Sequence, residues 1–215
     1  MKRIMEKMKD PRGMRWLFYG DSITHGAKHA TGYKDFSELF RERVAWELGR
    51  RDDLVLNSAY SGFTTNELLE NFDGRAAFFR PDAAFLMIGT NDTVKIADEN
   101  VFRSNLNELA ERFEKLGTQL ILLTPLPVFR NLDADRGAAV PAYAGIVRET
   151  AAARGLPLID EYRNWETDPA AVYLYADELH PNNFGHVKIA HDIFRALGIF
   201  DEKSWTCRFF VPPAL

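Results

Sequence analysis

Five short runs of the chain are apolar throughout and bounded by turn residues: MRWLFY (14–19), DLVLNSA (53–59), DAAFLMIG (82–89), QLILLT (119–124) and LPLID (156–160). Runs of this length without polar alternation predict strands buried on both faces of a sheet. Between them the apolar residues recur at helical spacing. DFSELFRERVAWELG (35–49) places Phe36, Leu39, Phe40, Val44 and Leu48 on one stripe, with Gly49 placed to end it. Thr64 and Glu67 have the spacing of a capping box ahead of NELLENF. ENVFRSNLNELAERFEKLG, PAYAGIVRETAAARG and NNFGHVKIAHDIFRALG predict three more amphipathic helices, closed by Gly117, Gly155 and Gly198. Parallel strands need crossover helices, so the alternation predicts a doubly wound α/β sandwich with five mainly parallel strands. At 215 residues one domain is expected, its core spanning about 14–198 and its tail 199–215.

Ligands of such sheets bind beyond the carboxyl ends of the strands. Three of the five runs end there in polar clusters: GDS (20–22), YSG (60–62) and GTND (89–92). A fourth cluster, DELHPNNFGH (177–186), precedes the last helical pattern. Ser22 has two readings, a cap for the next helix or a nucleophile. The second requires a general base and a group to orient it, and Asp177 and His180, three residues apart, supply both residue types. The amides of Ser22 and Gly62 and the side chain of Asn91 are candidate donors to an oxyanion.

Charge and composition narrow the field. Lys and Arg are mixed among Asp and Glu, and the net charge of -4 offers no basic patch for nucleic acid. MKRIMEKMKDPRG lacks the apolar stretch of a secretory signal, and no segment approaches a membrane span, so a cytoplasmic protein with no membrane partner is expected. The single cysteine, Cys207, excludes an intrachain disulfide and a cysteine-based zinc site.

GDSITHG, Gly62 in SAYSGFTT, GTND and DELHP, in this order, resemble the blocks of the GDSL (SGNH) hydrolase superfamily of esterases and lipases. The resemblance covers about 16–197. It implies a flavodoxin-like three-layer α/β/α fold without a cofactor. It also implies Ser22 as nucleophile, His180 as base, Asp177 as its orienter, and Ser22, Gly62 and Asn91 as the oxyanion hole. Ile23 stands where the family's short name has leucine, and the tail after the last helix lies outside the blocks.

Rival readings are weighed on the same residues. His25 is an alternative base, but it has no carboxylate nearby in sequence. Asp21 and Asp92 are expected to order their turns, and His186 and His191 to sit on the surface or in packing. Asp177, His180 and His186 could be metal ligands, yet that trio leaves GDS and GTND unexplained. GDSITHG lacks the spacing of a phosphate or dinucleotide loop. Substrate contacts are expected from the segments 126–141 and 161–176, with Phe63, Phe129, Trp165, Tyr173 and Tyr175 as candidate walls or sugar-stacking faces. Without a lid-sized insertion, a short acyl group, such as acetyl on a carbohydrate or other small alcohol, is preferred to a long-chain lipid. A thioesterase or lysophospholipase would use the same catalytic set, and a non-catalytic binding module would share the fold. Oligomeric state is left open, although the apolar tail 209–215 could cover a core edge or join a partner.

Overall fold

The computed structural model describes residues 1–129 and 133–208. In chain order the elements are α1 (Lys2–Lys7), β1 (Arg15–Gly20), α2 (Ser22–His25), α3 (Phe36–Arg41), β2 (Leu54–Asn57), α4 (Thr65–Glu70), α5 (Phe72–Arg75), β3 (Ala83–Met87), α6 (Asp92–Lys95), α7 (Glu99–Lys115), β4 (Gln119–Leu123), α8 (Ala134–Arg154), β5 (Leu158–Ile159), α9 (Glu161–Glu166) and α10 (Asn183–Ala196). The five strands form one sheet in the order β2-β1-β3-β4-β5, and every pairing is parallel. The order reverses at β1, which runs between β2 and β3 and carries GDS at its carboxyl end.

Side-chain alternation along the strands sorts the core into two layers. Trp16 and Phe18 of β1, Phe85 and Met87 of β3 and Ile121 and Leu123 of β4 face α1, α3 and α10. Leu17, Tyr19, Leu86 and Leu122 point the other way, towards α4, α5, α7 and α8. This is the three-layer α/β/α arrangement. Trp16, Phe18, Phe40 and Phe85 stack within the first layer at centroid distances of 4.8 to 6.1 Å. Such pairs add to the stabilisation from burial, about 0.5 to 1.5 kcal/mol each.

Three expectations need correction. After Arg41 the helix widens into a π-helical turn, Glu42–Glu47. The extra residue per turn rotates the stripe, so Leu48 is exposed although Val44 is buried. The helix expected to begin at Pro141 begins a full two turns earlier, at Ala134, where Asp133 caps the Arg136 N–H. Pro141 therefore lies inside α8. An interior proline costs about 3 kcal/mol, and burial of Val140, Tyr143, Ile146 and Val147 offsets it. The segment 161–176, expected as a loop, contains α9, which Asp160 caps by accepting from the Arg163 N–H. Residues 130–132 of the other loop and the tail 209–215 lie outside the described residues. Among the described residues no helix is long and apolar enough to cross a membrane.

The edge of the first layer is fixed by one carboxylate. Asp53 accepts from the Met14 N–H at 2.9 Å, the Trp16 indole at 2.8 Å and the Arg50 guanidinium at 2.9 Å. Asp53→Ala would leave the buried Trp16 N–H and Arg50 without that partner. The expected cost is about 3 kcal/mol, read as a lower urea midpoint with an unchanged m value.

Candidate active site

The turn after β1 is built by close approach. A Cβ on Gly20 would lie 2.2 Å from the Met87 carbonyl oxygen of β3, so only glycine fits there. The next residue, Asp21, is the cap of α2: its carboxylate accepts from the Ile23 N–H at 3.0 Å. Ser22 is consequently the first residue inside the helix, and its hydroxyl is not needed for capping. Gly26, with φ 67°, ends α2 after a single turn.

The Ser22 Oγ lies 2.9 Å from His180 Nε2 across 158 positions of sequence. On the other side of the ring, His180 Nδ1 lies 2.8 Å from Asp177 Oδ2 and 3.0 Å from Oδ1. Asp177 also accepts the backbone N–H groups of Leu179 and His180, at 3.0 and 2.7 Å. Burial raises its pKa, but these bonds and the neighbouring ring outweigh that effect and hold it below the ordinary 3.8. Asp177 and His180 sit on one tight loop whose base is closed by a Tyr175–Pro181 bridge and by an Ala176 N–H bond to the His180 carbonyl, 2.8 Å. Asn182 then caps α10 through Phe184 and Gly185 and donates its amide to the carbonyls of Tyr173 and Tyr175.

The other sequence clusters reach the same end of the sheet. The Tyr60 N–H bonds to the Gly20 carbonyl at 3.1 Å. Gly62, with φ 86°, has an N–H that makes no hydrogen bond among the described residues, while its carbonyl accepts from Lys95 Nζ at 2.5 Å. Asn91 Nδ2 donates one hydrogen to the Phe63 carbonyl at 3.0 Å. The Ser22 N–H, at the first position of α2, is among the groups a helix leaves unpaired.

The other residues weighed in the sequence lie apart from the Ser22–His180–Asp177 contacts, His186 and His191 in packing as expected. His25 turns towards Ser61, 3.0 Å from its hydroxyl, and stacks on Tyr60. His186 is buried against Phe36, and burial, then His29 and His180, push its pKa down to about 3. His191 is buried with Nε2 on the Thr206 carbonyl. Trp165 is no pocket wall: it is buried, and its indole donates to Glu161 at 3.0 Å. Phe129 and Tyr175 pack edge to face at 4.7 Å, and the Tyr175 hydroxyl is tied to the Pro127 carbonyl. Phe63 is half-buried beside Tyr60, with the Arg75 guanidinium over both rings. Tyr173 is exposed.

One neighbour was not found from the sequence. His29 stacks on His180, centroids 3.7 Å apart and planes 9° from parallel, with Nε2 3.2 Å from Asp177 Oδ2. No periodicity or spacing marks it; the only signal is a histidine in the polar run after GDSITHG. His29, Asp177 and His180 could each offer an atom to a metal ion. Both ring nitrogens that face Asp177 are placed as donors to its Oδ2, His180 Nδ1 at 2.8 Å and His29 Nε2 at 3.2 Å, and an imidazole nitrogen that carries its hydrogen has no lone pair to give a metal. A hollow of about 420 Å³ at the opposite, amino-terminal end of the sheet, between Ile4, Met14, Asp82 and Gln119, holds none of these groups.

Residues 18–188 match the GDSL-like lipase/acylhydrolase family. The chain belongs to that family. It is a carboxylic ester hydrolase. An acetylxylan esterase of Geobacillus stearothermophilus is 26% identical over 215 residues, covering 89% of this chain and 97% of the esterase. An uncharacterized protein of Mycoplasma pneumoniae is 35% identical over 95 residues, and this chain spans only 11% of its length. Among solved structures, LAE5, an alpha/beta hydrolase enzyme from the metagenome of Lake Arreo, Spain, superposes with a TM-score of 0.72 at 23% identity, covering 88% of this chain and 97% of that one. The Geobacillus acetylxylan esterase superposes at 0.71 with 20% identity, covering 87% of this chain and 95% of that one. Its catalytic mutants replace a serine, an aspartate and a histidine three positions after the aspartate.

Beneath the site lie two buried carboxylates. Burial, with Asp92 nearby, pushes Asp21 up to about 7 despite its Ile23 bond. Burial likewise pushes Asp92 up to about 6 against the Thr65 bonds. A carboxyl whose folded pKa exceeds its unfolded value of 3.8 stabilises the fold fully below pH 3.8, and this contribution is lost as pH rises through the folded value. Asp92→Asn keeps the acceptor for Thr65 but cannot ionise. Its stability relative to wild type should therefore rise between pH 4 and pH 8, by about 2 kcal/mol, measured as paired urea midpoints.

Proposed function

We propose that this hydrolase removes acetyl or similarly short acyl groups from a carbohydrate or another small alcohol, through an acyl-enzyme on Ser22. The observation that carries the reading is the 2.9 Å contact between Ser22 Oγ and His180 Nε2, with Asp177 on the opposite nitrogen. Held by an ionised carboxylate, Nδ1 keeps its hydrogen, and Nε2 presents a lone pair to the serine.

In the first step the Ser22 oxygen bonds to the ester carbonyl carbon while its proton passes to Nε2. The carbonyl oxygen becomes an oxyanion, for which the Ser22 and Gly62 N–H groups and the second Asn91 N–H are the available donors. Collapse breaks the bond to the alcohol oxygen, which leaves with the proton from Nε2. Water then repeats the sequence, His180 taking its proton, and the carboxylic acid is released from Ser22.

The short-chain preference is supported by the acetylxylan esterase relative and by local packing. Phe129 and Tyr175 pack on each other, and the Tyr175 hydroxyl is tied to the Pro127 carbonyl, so neither ring is free to wall a long acyl slot. The catalytic assignment is supported by the same residue types, with the same Asp–His spacing, in the mutated positions of that esterase.

Three measurements test the proposal. Ser22→Ala should abolish fluorophosphonate labelling and lower kcat by about a thousandfold or more; labelling that persists in this variant would refute Ser22 as nucleophile. Across p-nitrophenyl esters of rising chain length, acetate should be cleaved best, and a maximum at octanoate would overturn the short-chain assignment. Asn91→Ala should lower kcat about a hundredfold with little change in KM, as expected for a donor used mainly in the transition state.

A further inference from the structure

The catalytic reading uses two edges of the His180 ring: Ser22 and Asp177 hold its opposite nitrogens. Neither restrains the ring against swinging out of its plane. The group that does is His29. Its ring covers one face of His180 at 3.7 Å and 9°, the closest and most nearly parallel ring pair among those of the described residues. Its Nε2 is 3.2 Å from the same Asp177 oxygen that receives His180 Nδ1. A lone pair at that distance from an ionised carboxylate would be repelled, so Nε2 carries its hydrogen. One carboxylate oxygen therefore faces two imidazole N–H groups, and the two rings are held in register by it.

We propose that His29 is a positioning residue for the general base: as a neutral ring it holds His180 in the plane of Ser22 and Asp177, and it shares the Asp177 carboxylate so as to moderate the basicity of His180. This rests on the assignment of Ser22, His180 and Asp177 made above. Two stacked imidazoles cannot both carry a full charge at 3.7 Å without strong repulsion. His180 must accept a proton during turnover, so His29 must be the neutral partner.

The surroundings favour that state. Burial, His180 and Lys28 lower the His29 pKa, against Asp177 and Glu178, which raise it, and the net displacement is downward. His186, in the first turn of α10, lies close enough to interact with both rings and is itself held neutral by burial. Once His29 gains a proton in acid, the imidazolium form of His180 is opposed by a like charge.

The test separates stacking from carboxylate sharing. His29→Phe retains a flat ring against His180 but has no Nε2; His29→Ala lacks both. In His29→Ala, kcat on p-nitrophenyl acetate should fall about tenfold or more with KM within about twofold, because the base is misoriented while ground-state binding is unaffected. His29→Phe should lose less. In both variants the acid limb of kcat/KM should move upward by several tenths of a pH unit, since Asp177 no longer divides its charge between two rings. A role in folding alone would not move that limb.

Fluorophosphonate labelling of Ser22 reports whether each variant retains a formed site. An unmoved acid limb in labelled His29→Phe overturns the proposal, as does wild-type kcat in His29→Ala. If His29→Ala does not fold, the acid limb of His29→Phe decides. Absence of labelling in the wild type would instead refute the catalytic assignment itself, and the role of His29 would fall with it.

Discussion

A parallel sheet covered on both faces leaves only its two ends open to solvent, and this constraint governs everything else in the molecule. Trp16, Phe18 and Phe85 close one face against α3 and α10, and Leu17, Tyr19 and Leu86 close the other against α7. Since all strands run the same way, the segments that follow β1, β2 and β3 emerge at one edge. An antiparallel sheet of the same sequence would have sent every second cluster to the opposite end. GDS, YSG and GTND meet because of strand direction, and the loop before α10 joins them because α10 packs on the same layer as β1.

Identical side chains reach opposite states at this edge. Asp177, half-buried, is surrounded by N–H groups, and they hold it in the charged form. Asp21 and Asp92 are fully buried, each leaves Oδ2 without a partner, and burial raises the pKa of each towards the neutral form. In the proposed reaction the contrast has a use. Negative charge is kept beside His180, where a cation forms, and is weakened beneath Ser22, where an oxyanion would form. The orphaned oxygens are a cost in stability accepted at a site where the field matters.

What the sequence disclosed and what it withheld follow the range of the interactions involved. The central strands were legible because burial on both faces leaves them almost wholly apolar, β2 at the sheet edge being mostly apolar although it is partly exposed, and the capping box of Thr64 and Glu67 because it closes within one turn. The Asp177–His180 pair was legible for the same reason. The two readings of Ser22 could not be separated, since the answer lay with its neighbour: Asp21 takes the cap and leaves the hydroxyl to His180. Leu48 was misplaced by a π-helical turn that no residue pattern announces, and Pro141 by a core strong enough to override a helix breaker. Trp165 looked like a pocket wall because an aromatic near a loop has no sequence mark distinguishing core from surface. His29 was invisible: its contacts with Asp177 and His180 cross about 150 positions.

The division between local and distant contacts also says how the site tolerates change. The Asp177–His180 geometry is made inside one bridged loop, so it needs nothing from the sheet. Its long-range contacts run from that loop to Ser22 and to His29, and both depend on how α10 docks the loop against the sheet. A Cβ on Gly185, at the start of α10, would lie 2.3 Å from the Leu174 carbonyl and 2.9 Å from the Trp165 ring, so helix and loop are in direct contact. Further along, Phe194 of α10 packs against Phe40, which itself packs on Trp16 and Phe18 of β1. A substitution that thickens this layer would push the loop away from α2 without touching any reacting group. Displacements of about 1 Å at a reacting pair can cost a hundredfold in rate. The aromatic layer is therefore the spacer between the proposed base, His180, and the proposed nucleophile, Ser22, as well as the core.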